Sequence, residues 1–269
     1  MTNYKLGFIG SGKMAGAIIK GLLDTNFVNS NDIIATQLEP EGLEEKSKDL
    51  GVKIVLDNKF LAKNSEIIII AVKPSQVVSV LEEIADLVKE KLVVSIAAGI
   101  TTQKIESKLS EKTRVIRVMP NTPMLISEGM SAIVAGSRVL AGDIEFVQSI
   151  FASLGKCLIL DNESQMDIVT AISGSGPAFY YKVINDIARA GEKLGLDYEK
   201  SLLLSIQTAI GSAKMALNRE ISMENLISNV ATKGGCTRVG IDTMEEFDTA
   251  KIFTDVISKT TQKASELGK

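Results

Sequence analysis

Gly10, Gly12 and Ala15 stand in the run Leu6-Gly7-Phe8-Ile9-Gly10-Ser11-Gly12-Lys13-Met14-Ala15, spaced as Gly-x-Gly-x-x-Ala. An apolar segment from Leu6 to Ile9 enters this turn, and an apolar helical pattern leaves it. In a strand–turn–helix, Gly10 permits the tight turn and Gly12 lets the backbone approach a pyrophosphate. Ala15 lets the helix pack close to the strand, while the helix N-terminus supplies amide donors and a positive dipole. The chemistry implied is the binding of a nicotinamide dinucleotide. The bare spacing also occurs as a structural turn, and the strand-to-helix context is what favours the ligand.

Other segments could serve the same chemistry. Ala71-Val72-Lys73-Pro74 ends an apolar strand where a cofactor's ribose and nicotinamide would pass, and Pro74 suits a first helical position. The same residues also read as an ordinary cap with a solvated lysine. Ile96-Ala97-Ala98-Gly99 ends the next strand with side chains small enough for a flat ring to approach the backbone. Met119-Pro120-Asn121-Thr122-Pro123 reads as rigid turn material. Farther on, Ser173-Gly174-Ser175-Gly176-Pro177 and Thr232-Lys233-Gly234-Gly235-Cys236-Thr237 each precede a helical pattern. Each would present backbone amides to a carboxylate, or simply connect two helices. Thr237 adds a hydroxyl that both donates and accepts. Lys214 and Asn218 loosely resemble the catalytic lysine and asparagine of β-hydroxyacid dehydrogenases, but they lie i, i+4 on an apolar helix. A snorkelling lysine explains them better.

The chain contains no histidine, which excludes an imidazole as acid, base or metal ligand. No tyrosine is followed by lysine four residues on, so that proton-donating pair is missing too. A hydride acceptor here should not need a strong protein acid. Cys157 and Cys236 lie far apart and indicate neither a disulfide framework nor a metal site. A net charge of -3 gives no basic excess for nucleic acid, and no apolar run approaches a membrane span. With the N-terminus entering a strand at once, the expectation is a cytoplasmic enzyme.

Selection of the dinucleotide should rest on the end of the second strand, Thr36-Gln37-Leu38-Glu39. An acid there would bind the ribose 2′-hydroxyl of NADH, and a basic residue the 2′-phosphate of NADPH. Gln37 is neutral, Glu39 lies two residues on, and no basic residue occurs before Lys46, so both cofactors stay open.

The elements that must position these residues alternate through the first 160 or so residues. Strands are expected at Leu6–Ile9, Asp32–Thr36, Lys53–Val55, Glu66–Val72, Leu92–Ile96, Arg114–Met119, Met130–Ala135 and Lys156–Leu160. Alternation with helices implies an α/β fold, a Rossmann-type doubly wound sheet over residues 1–162. After about Glu163 the signals turn all-helical, giving a C-terminal α domain over 163–269. Its helices are expected at Gln165–Ile172, Ala178–Leu194, Glu199–Asn218, Met223–Ala231, Arg238–Glu246 and Thr249–Leu267. The third carries Leu202, Leu203, Leu204, Ile206, Ile210 and Met215 around much of its circumference, which suggests burial by self-association.

Taken in order, these motifs resemble those of the pyrroline-5-carboxylate reductase family along essentially the whole chain. The Ser173–Pro177 and Gly234-Gly235-Cys236-Thr237 segments at this separation are the most specific part. The resemblance implies reduction of the C=N bond of Δ1-pyrroline-5-carboxylate to L-proline with NADPH or NADH. It implies that Ile9, Gly10, Ser11, Gly12, Lys13, Met14, Asn58, Ala71, Val72, Lys73, Pro74, Ile96, Ala97 and Ala98 line the cofactor. Gln37 would lie near the 2′-phosphate, where the family often has Ser, Asn or Arg. The amides of Gly234, Gly235 and Cys236 would hold the substrate carboxylate, and Thr237 would hydrogen-bond the ring nitrogen as the catalytic group. Glu220 and Ser175 would also face substrate, and Lys233 replaces a proline usual in the family. The helical domain would interlock two subunits into a homodimer, commonly assembled further into decamers. An imine or β-hydroxyacid dehydrogenase of related fold, or a non-catalytic dinucleotide sensor, are the rival readings.

Overall fold

The computed structural model describes residues 4–218 and 220–268. Eight strands form one sheet: β1 (Tyr4–Ile9), β2 (Ile33–Thr36), β3 (Lys53–Val55), β4 (Ser65–Ile70), β5 (Leu92–Ser95), β6 (Arg114–Met119), β7 (Gly129–Ala135) and β8 (Gly155–Ile159). Their order is β3-β2-β1-β4-β5-β6-β7-β8, and the first six run parallel. The helices between them are α1 (Lys13–Asp24), α2 (Leu43–Leu50), α3 (Asn58–Asn64), α4 (Pro74–Ile84), α5 (Thr102–Glu106) and α6 (Ala141–Ala152). The strand order reverses between β1 and β4, the place where a doubly wound sheet opens a ligand crevice at its carboxyl edge.

The isoleucines of β4 show why the sheet is covered on both sides. Ile68 and Ile70 join Ile9, Ile34, Val77 and Leu81 in one core cluster, with α3 and α4. Ile69 joins Leu6, Phe8, Ile18, Leu22 and Phe151 in the other, with α1 and α6. Alternate side chains of one strand therefore feed opposite faces, as the period of two requires.

One departure from a parallel sheet occurs at β7, which runs antiparallel to β6, with β8 parallel to β7. The β6–β7 connection holds only a 3-10 turn at Thr122–Ile126, too short for the crossover that parallel pairing needs. Asn121 fixes this turn: its Oδ1 accepts from the Met130 amide at 2.8 Å and its Nδ2 donates to the Ser173 carbonyl at 3.2 Å.

The remaining helices are α7 (Met166–Val169), a π turn at Thr170–Gly174, α8 (Gly176–Lys193), α9 (Tyr198–Ala216), α10 (Met223–Val230), α11 (Cys236–Glu246) and α12 (Thr249–Glu266). Strands end near residue 160 as composition suggests, but packing divides elsewhere. Residues up to Ser175, together with those from Lys259 onward, form one compact unit, and Gly176–Ser258 form a second. In the first unit, Arg117 on β6 is 2 % exposed and pairs with Glu163 at 3.1 Å and Asp167 at 3.3 Å. Glu163 also accepts from the amide and hydroxyl of Thr102, at 2.8 and 2.6 Å. These bonds fasten the start of α5 and the approach to α7 onto the sheet.

The last turns of α12 pack into the same unit. Gly99 has φ +78°, and a Cβ there would come within 2.7 Å of the Ala264 carbonyl oxygen and 2.8 Å of the Gly268 amide nitrogen. Lys104 Nζ donates to the Gly268 carbonyl at 2.6 Å. In the second unit, Ser201 and Ser205 let α9 lie close on α8, where Gly191 leaves room and the Ser205 hydroxyl donates to the Ile184 carbonyl at 3.0 Å.

Candidate active site

The glycine turn after β1 is held by contacts that only its residue types allow. Gly10 has φ +98°, and a Cβ on it would fall 2.8 Å from the Ala71 carbonyl oxygen. Its amide donates to Thr36 Oγ1 at 3.1 Å, and the Ala71 amide donates to the Ile9 carbonyl at 2.9 Å. The ends of β1, β2 and β4 are thus tied together at the reversal of strand order.

Gly12 is different. It has an ordinary φ of -70°, and a Cβ on it would meet nothing within 4 Å. Packing among the described residues therefore does not require glycine there, and the space beside it is open. Beside it, Ser11 is 4 % exposed and its hydroxyl has no hydrogen-bond partner among the described residues. Helix α1 begins at Lys13 with no side-chain cap and no acid in its first turn. Open amides, an unpartnered buried hydroxyl and the positive end of a helix fit a pyrophosphate.

A cavity of about 400 Å³ opens here, lined by Ile9, Gly10, Ser11, Gly12, Gln37, Asn58, Ala71, Val72 and Lys73 of the expected cofactor residues. Lys13 lines the neighbouring hollow beside α1 and α2. Met14 packs against the core instead. Pro74 forms the first residue of α4, where the Lys73 amide donates to Gln76 Oε1 at 3.3 Å. Ile96 and Ala97 turn their side chains into the two core clusters, so only backbone and Ala98 face outward after β5. The cavity wall also contains Thr36 and Leu38 from the end of β2, and Lys46, Leu56, Gln76 and Glu83, to which the motifs gave no role. The last four come from α2, from the residue after β3 and from the first and third turns of α4, whose direction the linear spacing does not reveal.

In the second unit, Gly234 has φ +78° and Gly235 caps α11 with φ -82° and ψ 160°. Cys236 and Thr237 are therefore the first two residues of α11, two positions earlier than the expected Arg238. No side chain caps this end, but the Gly235 amide donates to the Thr232 carbonyl at 3.0 Å and is not open to a carboxylate, contrary to expectation. The Arg238 amide donates to the Gly235 carbonyl at 3.2 Å; among the described residues the Cys236 and Thr237 amides stay open. Lys233 and Cys236 are exposed, and Thr237 is half-buried. Glu220 is exposed in the turn before α10, its amide donating to Asn218 Oδ1 at 3.3 Å.

The Ser173–Pro177 segment is not the loop its glycines suggest. The Ser175 amide donates to the Thr170 carbonyl at 2.8 Å, closing the π turn, and α8 follows at once. This amide is engaged within the helix and is not open to a carboxylate. Gly174 is needed because a Cβ there would fall 2.3 Å from the Met119 methyl.

Among the described residues no helix is long and apolar enough to cross a membrane. Residues 163–267 match a family model described as pyrroline-5-carboxylate reductase dimerisation, and residues 5–99 one described as NADP oxidoreductase, coenzyme F420-dependent. A pyrroline-5-carboxylate reductase of Methanosarcina acetivorans is 37% identical, covering 100% of this chain and 100% of its own. One from Pseudomonas aeruginosa is 33% identical, over 99% of this chain and 98% of its own. The crystal structure of a Plasmodium falciparum pyrroline carboxylate reductase with NADP bound superposes with a TM-score of 0.91 at 32% identity, covering 100% of both chains. With a fold, a dinucleotide-type cradle and full-length likeness all agreeing, this chain belongs to the pyrroline-5-carboxylate reductase family.

Proposed function

We propose that this protein reduces the C=N bond of Δ1-pyrroline-5-carboxylate to L-proline with NADPH or NADH, closing proline biosynthesis in the cytoplasm. The observation that carries the cofactor half is the open face of Gly12 beside the unpartnered hydroxyl of Ser11. When bound, the reduced dinucleotide supplies the hydride. The chain's own task is to bind, orient and manage one proton.

The turn from Gly10 to Lys13 holds the pyrophosphate, and Ala71 to Pro74 with Ile96 to Ala98 support the rest of the dinucleotide. The Cys236 and Thr237 amides at the start of α11 hold the substrate carboxylate, with Gly234 and Gly235 setting their direction. Thr237 Oγ1 hydrogen-bonds the ring nitrogen and orients the imine. A protonated imine is already electrophilic, and hydride addition leaves a neutral amine with no alkoxide to protonate. A chain without histidine is adequate for such a reaction, which rests on positioning. Glu220 and Ser175 stand near the substrate in this reading.

The helical region from 163 to 269 is the substrate-binding and dimerisation domain, and 1–162 the dinucleotide-binding domain. Leu203, Leu204 and Met215 of α9 are each at least 60 % exposed in the single chain, alongside Tyr180 and Tyr181 of α8 at 71 and 62 %. Such a face is best covered by a second copy, giving a homodimer and, beyond it, decamers. The test follows oxidation of NADPH and NADH with Δ1-pyrroline-5-carboxylate, with sedimentation run on the same sample. Absence of turnover with either cofactor, or a monomer at assay concentration, would overturn the corresponding half of the proposal.

A further inference from the structure

The cavity between β2 and α4 carries a cation, Lys46, the first basic residue after β2. Lys46 lies on α2, one turn beyond the left-handed Gly42 whose carbonyl accepts its amide at 2.9 Å. It lines the cavity that holds Gln37, Leu38 and Asn58, and also the hollow that holds Ser11, Gly12 and Lys13. Lys46 therefore stands between the pyrophosphate turn and the end of β2, where the adenosine ribose of a dinucleotide rests.

Its neighbours leave its charge available. Lys20, on the facing helix, is neutralised by Asp49 at 2.8 Å. Among the described residues Lys46 has no ion-pair partner. Gln37 is committed elsewhere: its Nε2 donates to the carbonyls of Glu39 at 2.5 Å and Glu41 at 3.1 Å, so it shapes the loop. The carboxylates of Glu39 and Glu41 do not line the cavity. Glu83 does line it, but accepts from Asn58 Nδ2 at 2.9 Å, and Lys73 stands across the same cavity.

We propose that Lys46 is the residue by which this chain distinguishes NADPH from NADH, pairing with the 2′-phosphate of the adenosine ribose. The proposal rests on the dinucleotide reading of the cradle. One half-buried, partly solvated cation against a dianion predicts a preference of roughly tenfold. Because Lys46 is only half-buried, the preference should shrink as salt rises.

The test measures binding of 2′-phospho-ADP-ribose and ADP-ribose to the full chain by calorimetry, which needs no turnover. Wild type should bind the 2′-phosphorylated fragment about tenfold more tightly. Lys46→Met, which keeps the apolar stem, should erase most of that preference and leave ADP-ribose within about twofold; Lys46→Glu should reverse it. An unchanged melting temperature for Lys46→Met shows that the fold is intact. Equal loss for both fragments would place Lys46 at the pyrophosphate and overturn the proposal, as would a wild type with no preference. If neither fragment binds, the dinucleotide reading itself falls, and the proposal with it.

Discussion

Gly10 and Gly12 make opposite predictions although they sit two residues apart. At Gly12 the backbone is in a region open to any residue, and a new methyl would meet no protein atom within 4 Å. Gly12→Ala should leave stability within about 1 kcal/mol, since reduced freedom of the unfolded chain offsets a poorer cap. The methyl would instead occupy the path of the pyrophosphate, moving a phosphoryl oxygen by about 1 Å from amides it must reach at about 2.9 Å. Losing one to two charge-assisted hydrogen bonds costs about 2–3 kcal/mol, or roughly 30- to 150-fold in cofactor affinity. Gly10→Ala meets the Ala71 carbonyl at 2.8 Å from a backbone with φ +98°. That strain should cost about 2–4 kcal/mol, a fall of roughly 5–10 °C in melting temperature. Thermal melts and calorimetric titration with NADPH separate the two. A Gly12→Ala protein that binds NADPH as tightly as wild type would refute placement of the pyrophosphate at this turn.

Three further outcomes are expected. Thr237→Ala should lower kcat by about a hundredfold while changing the Kd for NADPH less than about threefold; unchanged turnover in steady-state assays would remove the role given to the hydroxyl. Glu163→Ala strips partners from Arg117 and from both donors of Thr102, and should cost about 3 kcal/mol in denaturant unfolding; Arg117→Met with intact acids should be similarly damaging, and a loss below about 1 kcal/mol in either would show the cluster to be incidental. Burial pushes the Cys157 thiol up to about 11, whereas Cys236 is exposed at the start of α11. Thiol titration at pH 8 should therefore find one fast site per chain, with Cys157 reacting appreciably only as pH rises towards its pKa; L-proline should slow the fast site, and two equally fast thiols would contradict the burial argument.

Much of the fold was legible because strand chemistry is local. The isoleucine run of β4 and the Gly-x-Gly turn announced a central parallel strand and its crevice, and all eight strands lie within two residues of their expected bounds. Ala71 and Val72 fall outside β4 because the chain there turns to form the cavity wall. The antiparallel β7 was hidden, since apolar alternation does not encode direction; only the shortness of the connection does. Ser173–Pro177 misled because glycines read as a loop. Here one glycine admits the Met119 side chain and the chain stays helical. Lys46 was visible only as the first basic residue after β2; its position on the cavity wall depends on how α2 turns.

The seating of Gly268 against Gly99 also bears on how the protein is made. The cofactor-side unit draws residues from both sides of the helical insert, and the Lys104–Gly268 bond joins positions 164 apart. During synthesis, the sheet would be assembled before the turn that covers the Ile96–Gly99 loop exists. The sheet would thus pass through a stage with its strands in place and that loop uncovered, and completion of this unit would wait for the stretch after Lys259 to emerge.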